Sequence, residues 1–519
     1  MLIRLHQLLE QGAARSGGQA CALLWRDQQM SYTELLEQVE LTAGALQSLG
    51  LQRGQRLAVW LPKQFQTVVA LFAGNRADAV IVPINPQLKP AQVLHILRDA
   101  GVSWLVSSAQ RVAQLGLDKS NCPALEGVIL CDRLTDLPIE TLHWDQLPRR
   151  LPAAARTIDT DLAALLYTSG STGLPKGVML SQRNLLCGAM SVSQYLQLQT
   201  DDRLLALLPL SFDYGLSQLT CGFYSGASVV LMDYLLPAEV VRTIARHQVT
   251  GLAGVPPLWQ QLASQDWPEQ ARCLRFFTNS GGHLPTTLLQ QLRQLQPQAR
   301  PYLMYGLTEA FRSTWVPPEW LERKTDSIGI AIPNAEILVL REDGRPCADG
   351  EEGELVHRGS LVAMGYWNDP LRTAERFRPL PGQPGEHPLA ELAVWSGDRV
   401  VRDSDGFMYY RGRRDEQIKC SGMRVSPEEI EHELLASGEV EECVVVGADH
   451  PQLGQAPIAL LCGDRQQQTT LQQWLQRRLP QYMQPQAWIW YDQLPRNNNG
   501  KYDRPALRRQ HADQFRNPS

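Results

Sequence analysis

Between Thr168 and Gly177 the chain reads TSGSTGLPKG, directly after the apolar run LAALLY. Gly170, Gly173 and Gly177 let backbone amides approach an anion, Thr168, Ser169, Ser171 and Thr172 add hydroxyl donors, and Lys176 adds a mobile cation. An oligophosphate is the guest that suits such a loop. The P-loop of NTPases needs Gly immediately before its Lys and Ser or Thr after it, and Pro175 and Gly177 stand in those places, so that motif does not match. The strand-like run GVML follows Lys176, and only at Ser181 does a helix begin, NLLCGAMSVSQYL. The loop is therefore expected between strands, with no helix dipole behind it.

Something must hold that loop in place, and the surrounding chain alternates strand-like and helical runs. YTELLEQVELTAGALQSLG, RLAVWLP, QTVVALFAGNRADA and VIVPI occupy the segment from about Ser31 to Pro86. The same rhythm returns in VSWLVSS, GVILC, LAALLYT, ASVVLMD, TGLAGVP, LRFFTNS and ARPYLMYG, which argues for α/β layers with largely parallel strands. From about Ser327 to Tyr410 short strands and turns take over, the pattern of a β-rich, barrel-like lobe. After the charged GRRDEQIK a compact α+β unit follows, opened by Ser426-Pro427-Glu428-Glu429, which reads as a capping hydroxyl, a first-turn proline and a capping-box glutamate. The expected architecture is α/β, with a large N-terminal domain (1–412) of layered sheets plus the β lobe and a small, mobile α+β C-terminal domain (413–519).

Bulk properties exclude several classes. A net charge of −5 on 519 residues offers no basic surface for nucleic acid or anionic lipid. No window approaches the ~18 apolar residues of a membrane span, and the N-terminus lacks a secretory apolar core, so a cytoplasmic protein is expected. The ten cysteines stand singly, without C-x-x-C or Cys/His spacing, and read as reduced packing residues.

TSGSTGLPKGVMLSQRNL resembles the phosphate loop of the AMP-forming adenylating ligases, the superfamily of acyl-CoA synthetases, nonribosomal peptide synthetase adenylation domains and luciferases. Four further motifs follow in the family order: Tyr305-Gly306-Leu307-Thr308-Glu309, Trp395-Ser396-Gly397-Asp398 (with Ser396 where Thr is usual), Gly412 to Lys419, and Pro495 to Lys501. Alone, WSGD reads as a turn, YGLTE as a helix start and Lys501 as a solvated loop cation; five matches in order over nearly the whole chain carry the resemblance. It implies ATP-dependent activation of a carboxylate. The attacking and departing oxygens both need charge neutralised, which calls for donors, a cation and Mg²⁺ together. By resemblance Thr168, Ser169, Ser171, Thr172 and Lys176 hold the β/γ-phosphates, Thr308 reaches the α-phosphate and Glu309 binds Mg²⁺. Tyr305 stacks on adenine, Asp398 accepts the ribose hydroxyls with help from Arg413, and Lys501 bridges the carboxylate and α-phosphate.

The resemblance also implies two reactions on one hinge. Asp415 is the expected pivot on which the small domain turns to admit the thiol of coenzyme A or of carrier-protein phosphopantetheine, bringing Lys419 to Arg424 near the thiol. Arg414, Glu416 and the acidic cluster from Glu428 to Glu431 read as solvated charge. In LPLSFDYGL, Phe212 falls at the family's gating position, and Asp213 resembles the aspartate that binds a substrate ammonium in amino-acid-activating members. Arg312, a turn beyond Glu309, could instead pair with Asp213 and leave the pocket neutral, fit for a plain carboxylate. Gly281, with Tyr214, Ser217, Asn279, Met304 and Ser313, completes the expected pocket, and Gln182 stands where the family often has His. These stretches are similar to a bacterial acyl-CoA ligase subgroup and to stand-alone prolyl ligases that load carrier proteins. An amino-acid substrate and a simple acid both stay open, and transfer to an amine is the alternative to a thiol.

Overall fold

The computed structural model describes residues 2–168, 175–324, 326–382, 388–413, 417–440, 442–495 and 502–516, with only the backbone described at Arg413 and Pro505. Each strand read from an apolar run forms, and the strands assort into three sheets. In an eight-stranded sheet, Arg56–Val59, Val80–Pro83, Val102–Ser107, Gly127–Leu130, Glu140–His143 and Leu162–Thr168 run parallel. Lys176–Ser181 returns antiparallel on Leu162–Thr168, with Thr168 opposite Lys176. A second sheet has Cys21–Trp25, Ser228–Leu231, Arg203–Ala206, Gly251–Gly254, Phe276–Asn279 and Arg300–Tyr305 in parallel.

The helices Phe65–Arg76 and Asp213–Ser225 are buried on nearly all sides, the pattern of a helix enclosed by protein. Each packs on its own sheet, and they meet at Phe72 and Phe223, edge to face with ring centroids 5.2 Å apart. One continuous apolar core thus joins both sheets. In the β-rich lobe, Thr314–Val316 and Ser327–Ala331 carry the ladder of the second sheet onward to Met408–Arg413, Leu392–Arg402, Glu352–Gly359 and Ala335–Leu340, all antiparallel.

The third sheet holds the strands Ile418–Cys420, Met423–Val425, Glu442–His450, Gly454–Cys462 and Ala487–Trp490 and has separate apolar clusters on its two faces. Pro427–Ala436 and Gln468–Arg478 cover one face and Arg504–Gln510 the other. The helix start at Ser426 forms where expected, but without a capping box: Ser426 Oγ donates to Glu428 Oε2, and Glu429 turns toward the large domain instead. Glu431 is also buried, gripped by the two terminal guanidinium nitrogens of Arg504, Nη2 at 2.5 Å and Nη1 at 2.7 Å. The reading of Glu428 to Glu431 as solvated charge is therefore corrected at these two positions, because the helix face they share packs inward.

Candidate active site

The parallel strands of both sheets end toward a common region, and the loops after their carboxyl ends carry the candidate residues, as α/β sheets generally arrange their ligand sites. Thr168 ends Leu162–Thr168, Phe212 and Asp213 follow Arg203–Ala206, Gly281 follows Phe276–Asn279, and Thr308 and Glu309 follow Arg300–Tyr305.

Glu309 is the electrostatic centre. It is 0% exposed, accepts the Tyr366 hydroxyl at 2.7 Å, and lies 3.9 Å from the Lys176 ammonium. Arg424 Nη1 stands 3.1 Å from each of its oxygens. Burial alone would raise this carboxyl, but Arg424, Lys176 and Arg376 outweigh burial and hold it well below the usual carboxylate range. Burial also lowers the Lys176 ammonium to about 8 against the pull of Glu309, and its Nζ lies 3.9 Å from the Tyr366 ring centroid. Glu309 is a single carboxylate, and no group of three His, Cys, Asp or Glu side chains fit to hold a metal exists among the described residues. One hard oxygen donor suits Mg²⁺ that arrives on nucleotide phosphates.

Beside it, the Tyr305 hydroxyl donates to Asp398 Oδ2. Trp395 to Asp398 lies within the strand Leu392–Arg402 and not in the turn that WSGD alone suggests; Ser396 Oγ accepts from the Asp398 amide at 3.0 Å and donates to Leu355 O at 2.6 Å, so a hydroxyl ties this strand to its neighbour where their register shifts, and serine suffices. Asp398 and Arg413 are register partners on adjacent strands.

On the other side of Thr308, Asp213 and Arg312 meet in the interior. Their side chains are 3% and 2% exposed, with Nη1 to Oδ2 at 3.4 Å. Thr308 Oγ1 donates to Asp213 Oδ1 at 3.3 Å, and Arg312 Nη2 reaches Ser217 Oγ at 3.4 Å and lies over the Tyr214 ring. Desolvation pushes the Asp213 carboxyl up, opposed chiefly by Arg312. Of the two arrangements open in the sequence, the internally neutralised pair is the one present. Phe212 and Gly281 line the same cavity as Asp213, Thr308 and Arg312.

The hairpin Ile418–Val425 of the third sheet inserts here. Lys419 Nζ lies 5.4 Å from the Tyr305 ring centroid, and Gly422 lines two clefts of about 660 and 610 Å³. A Cβ on Gly422, whose φ is +77°, would come 2.5 Å from Val255 Cγ1, so only glycine fits. Behind the hairpin Gln92 Nε2 donates to Glu429 Oε1 at 2.9 Å, and burial raises the Glu429 carboxyl to about 8.

The structure brings together Thr168, Lys176, Tyr305, Thr308, Glu309, Asp398, Phe212, Asp213, Arg312 and Gly281 around one interdomain region. Ser169, Ser171, Thr172, Asp415 and Lys501 lie outside the described residues, as do Arg414, Glu416 and the Arg413 side chain. Tyr366, Gln92 and Glu429 were not legible as site residues: Tyr366 sits in an ordinary-looking GYWN, and Glu429 in what reads as a solvated acidic run. No helix is long and apolar enough to cross a membrane among the described residues.

A family model described as AMP-binding enzyme matches residues 9–367, and one described as AMP-binding enzyme C-terminal domain matches residues 429–501. The chain belongs to the AMP-binding enzyme family. It is 33% identical over 496 residues to the L-proline–[L-prolyl-carrier protein] ligase of Streptomyces coelicolor, covering 91% of each chain. It is 31% identical over 511 residues to tyrocidine synthase 3 of Brevibacillus parabrevis, covering 97% of this chain but only 8% of that protein's length. A solved o-succinylbenzoate CoA synthetase from Bacillus subtilis, a double mutant, superposes with a TM-score of 0.81 at 26% identity, over 99% of this chain and 98% of the other.

Proposed function

We propose that this chain uses ATP to activate a small-molecule carboxylate as an acyl-adenylate, releasing pyrophosphate, and then passes the acyl group to a thiol, that of coenzyme A or of carrier-protein phosphopantetheine, in the cytoplasm. The observation that carries the reading is the fully buried Glu309, kept ionised by Lys176 and Arg424 where the two sheets and the small domain converge. A buried carboxylate held as an anion is a costly arrangement, and such sites concentrate where chemistry is done.

In this reading Thr168, Ser169, Ser171, Thr172 and Lys176 hold the β/γ-phosphates, and Thr308 donates to the α-phosphate. Glu309 holds Mg²⁺, which when bound supplies positive charge to the phosphate oxygens. Tyr305 packs on adenine, Asp398 with Arg413 holds the ribose, and Lys501 orients the attacking carboxylate against the α-phosphate. Residues 1–412 form the body and 413–519 the lid, turning at Asp415. Phe212, Gly281, Asp213 and Arg312 shape the acyl pocket. The pairing of Asp213 with Arg312 supports an acid that brings no ammonium of its own. The 33% relation to a carrier-protein ligase and the likeness to a CoA synthetase both support a thiol acceptor.

Pyrophosphate exchange into ATP across a panel of aryl, short- and medium-chain fatty and amino acids tests the reading. Exchange with at least one plain acid is expected, lost in Lys501→Ala; full exchange in that variant refutes the role of Lys501, and no exchange with any acid refutes the activity.

A further inference from the structure

Lys176 opens a strand, and its backbone needs support from both sides. On one side its register partner is Thr168, the last residue of Leu162–Thr168. On the other, the short strand Gly365–Tyr366 pairs with Met179 and Val178, and the ladder closes with the Trp367 amide donating to Gly177 O at 2.8 Å. The Lys176 side chain is 14% exposed, held between Glu309 at 3.9 Å and the face of the Tyr366 ring. A side chain with so little room passes any shift of its backbone on to its charge.

The residues around Lys176 are tied to the last turn of one helix. Pro90–Asp99 buries Val93, Ile96 and Leu97 in the apolar cluster on the eight-stranded sheet, while His95 and Asp99, four residues apart and so on one face, reach the strand ends. His95 Nε2 lies 2.9 Å from Pro175 O, directly before Lys176; a carbonyl only accepts, so that nitrogen carries the proton. The Tyr167 hydroxyl, directly before Thr168, donates to Asp99 Oδ2 at 2.5 Å. The Tyr167 ring also packs on Gly177, where a Cβ would come 3.1 Å from Tyr167 Cζ and 3.3 Å from Trp367 Cβ. Asp99 O, a carbonyl at the helix end with no acceptor role left inside the helix, takes Trp367 Nε1 at 2.9 Å and Asn368 Nδ2 at 3.0 Å. Pro175, Tyr167 and Trp367 thus surround the Lys176 rung, and each is held by His95 or Asp99.

We propose that the last turn of Pro90–Asp99, through His95 and Asp99, sets where the Lys176 ammonium stands for the β/γ-phosphates of ATP. This rests on the assignment of Lys176 to those phosphates given above. His95 and Asp99 are positioning residues: they act through Pro175, Tyr167 and Trp367, and a cation placed wrongly by a fraction of an ångström loses much of its hold on a phosphate oxygen. AMP lacks the phosphates that Lys176 holds, so ATP feels the helix and AMP does not.

The test titrates the full chain calorimetrically with ATP plus Mg²⁺ and with AMP, in the absence of any acid, for wild type, His95→Ala, His95→Gln, Tyr167→Phe, Lys176→Ala and His95→Ala/Lys176→Ala. The ratio of ATP to AMP affinity is expected to fall about fivefold in His95→Ala and in Tyr167→Phe, the loss expected for one hydrogen bond, with AMP affinity unchanged. His95→Gln, whose side-chain amide still donates to Pro175 O, should stay within about twofold of wild type. In the Lys176→Ala background His95→Ala should cost nothing further, because its effect runs through Lys176. A ratio unchanged in both His95→Ala and Tyr167→Phe, ATP and AMP weakened alike, or a full additional loss in the double variant overturns the proposal. If His95→Ala misfolds, Tyr167→Phe decides, since its ring still packs on Gly177. Wild type that binds ATP no tighter than AMP overturns the role of Lys176 and this inference together, and is distinct from tight ATP binding that ignores His95.

Discussion

Replacing Arg312 by leucine would leave Asp213 in the interior with the Thr308 hydroxyl at 3.3 Å as its nearest donor. Breaking a buried pair from one side costs about 3–5 kcal/mol when the remaining charge stays ionised. The carboxyl has an escape, which is to take a proton, and that bounds the penalty. From an ordinary value of 3.8, protonation costs about 4.4 kcal/mol at pH 7 and about 1.6 kcal/mol at pH 5, at 1.36 kcal/mol per unit. The expected destabilisation of Arg312→Leu is therefore about 4 kcal/mol at pH 7, falling below about 2 kcal/mol at pH 5. The sign follows from proton counting: the folded variant holds a proton that the unfolded chain has released, so stability falls as pH rises above about 4. The double variant Asp213→Asn/Arg312→Leu buries no charge and should recover most of the loss. Urea unfolding of the large domain, followed by tryptophan fluorescence at pH 5, 6 and 7, reads this directly. A loss that does not change with pH, or one under about 1 kcal/mol, would show that the pair is not the enclosed ion pair argued here.

Two further outcomes are expected. Gly422→Ala places a methyl 2.5 Å from Val255 Cγ1 at a φ of +77°, so it should block hairpin docking and slow acyl transfer at least tenfold while pyrophosphate exchange persists; equal losses in both half-reactions would count against a docking role. Glu429, raised by burial to about 8, takes up a proton on docking against Gln92, with Glu433 and Tyr482 as its other titratable neighbours. Docking should weaken as pH rises from about 4.5 and level off above about 8, close to tenfold per unit in between. Hydrogen exchange of Pro427–Ala436, corrected for intrinsic rates, should show this slope in wild type and lose it in Glu429→Gln; the same slope in both proteins would exonerate Glu429.

What depends on local chemistry and on order along the chain was legible before any fold was known. The strands that flank the glycine-rich loop, Leu162–Thr168 and Lys176–Ser181, and the alternation that makes parallel strands stand where the residue types predict, because β-branched runs and helical apolar spacing act over a few residues, whereas WSGD, which alone reads as a turn, lies within the strand Leu392–Arg402. Which charges meet depends on the folded chain. Asp213 and Arg312 lie 99 residues apart, Gln92 and Glu429 337 apart, and Glu309 and Arg424 115 apart; no local pattern distinguishes a carboxylate that will be enclosed from one that will face water. The run SPEEIEHELL reads as a solvated acidic helix, and its Glu429 and Glu431 are buried only because that face packs on Gln92 and Arg504. Burial is a property of what arrives from elsewhere in the chain, and with it go the ionisation and the function of each of these groups.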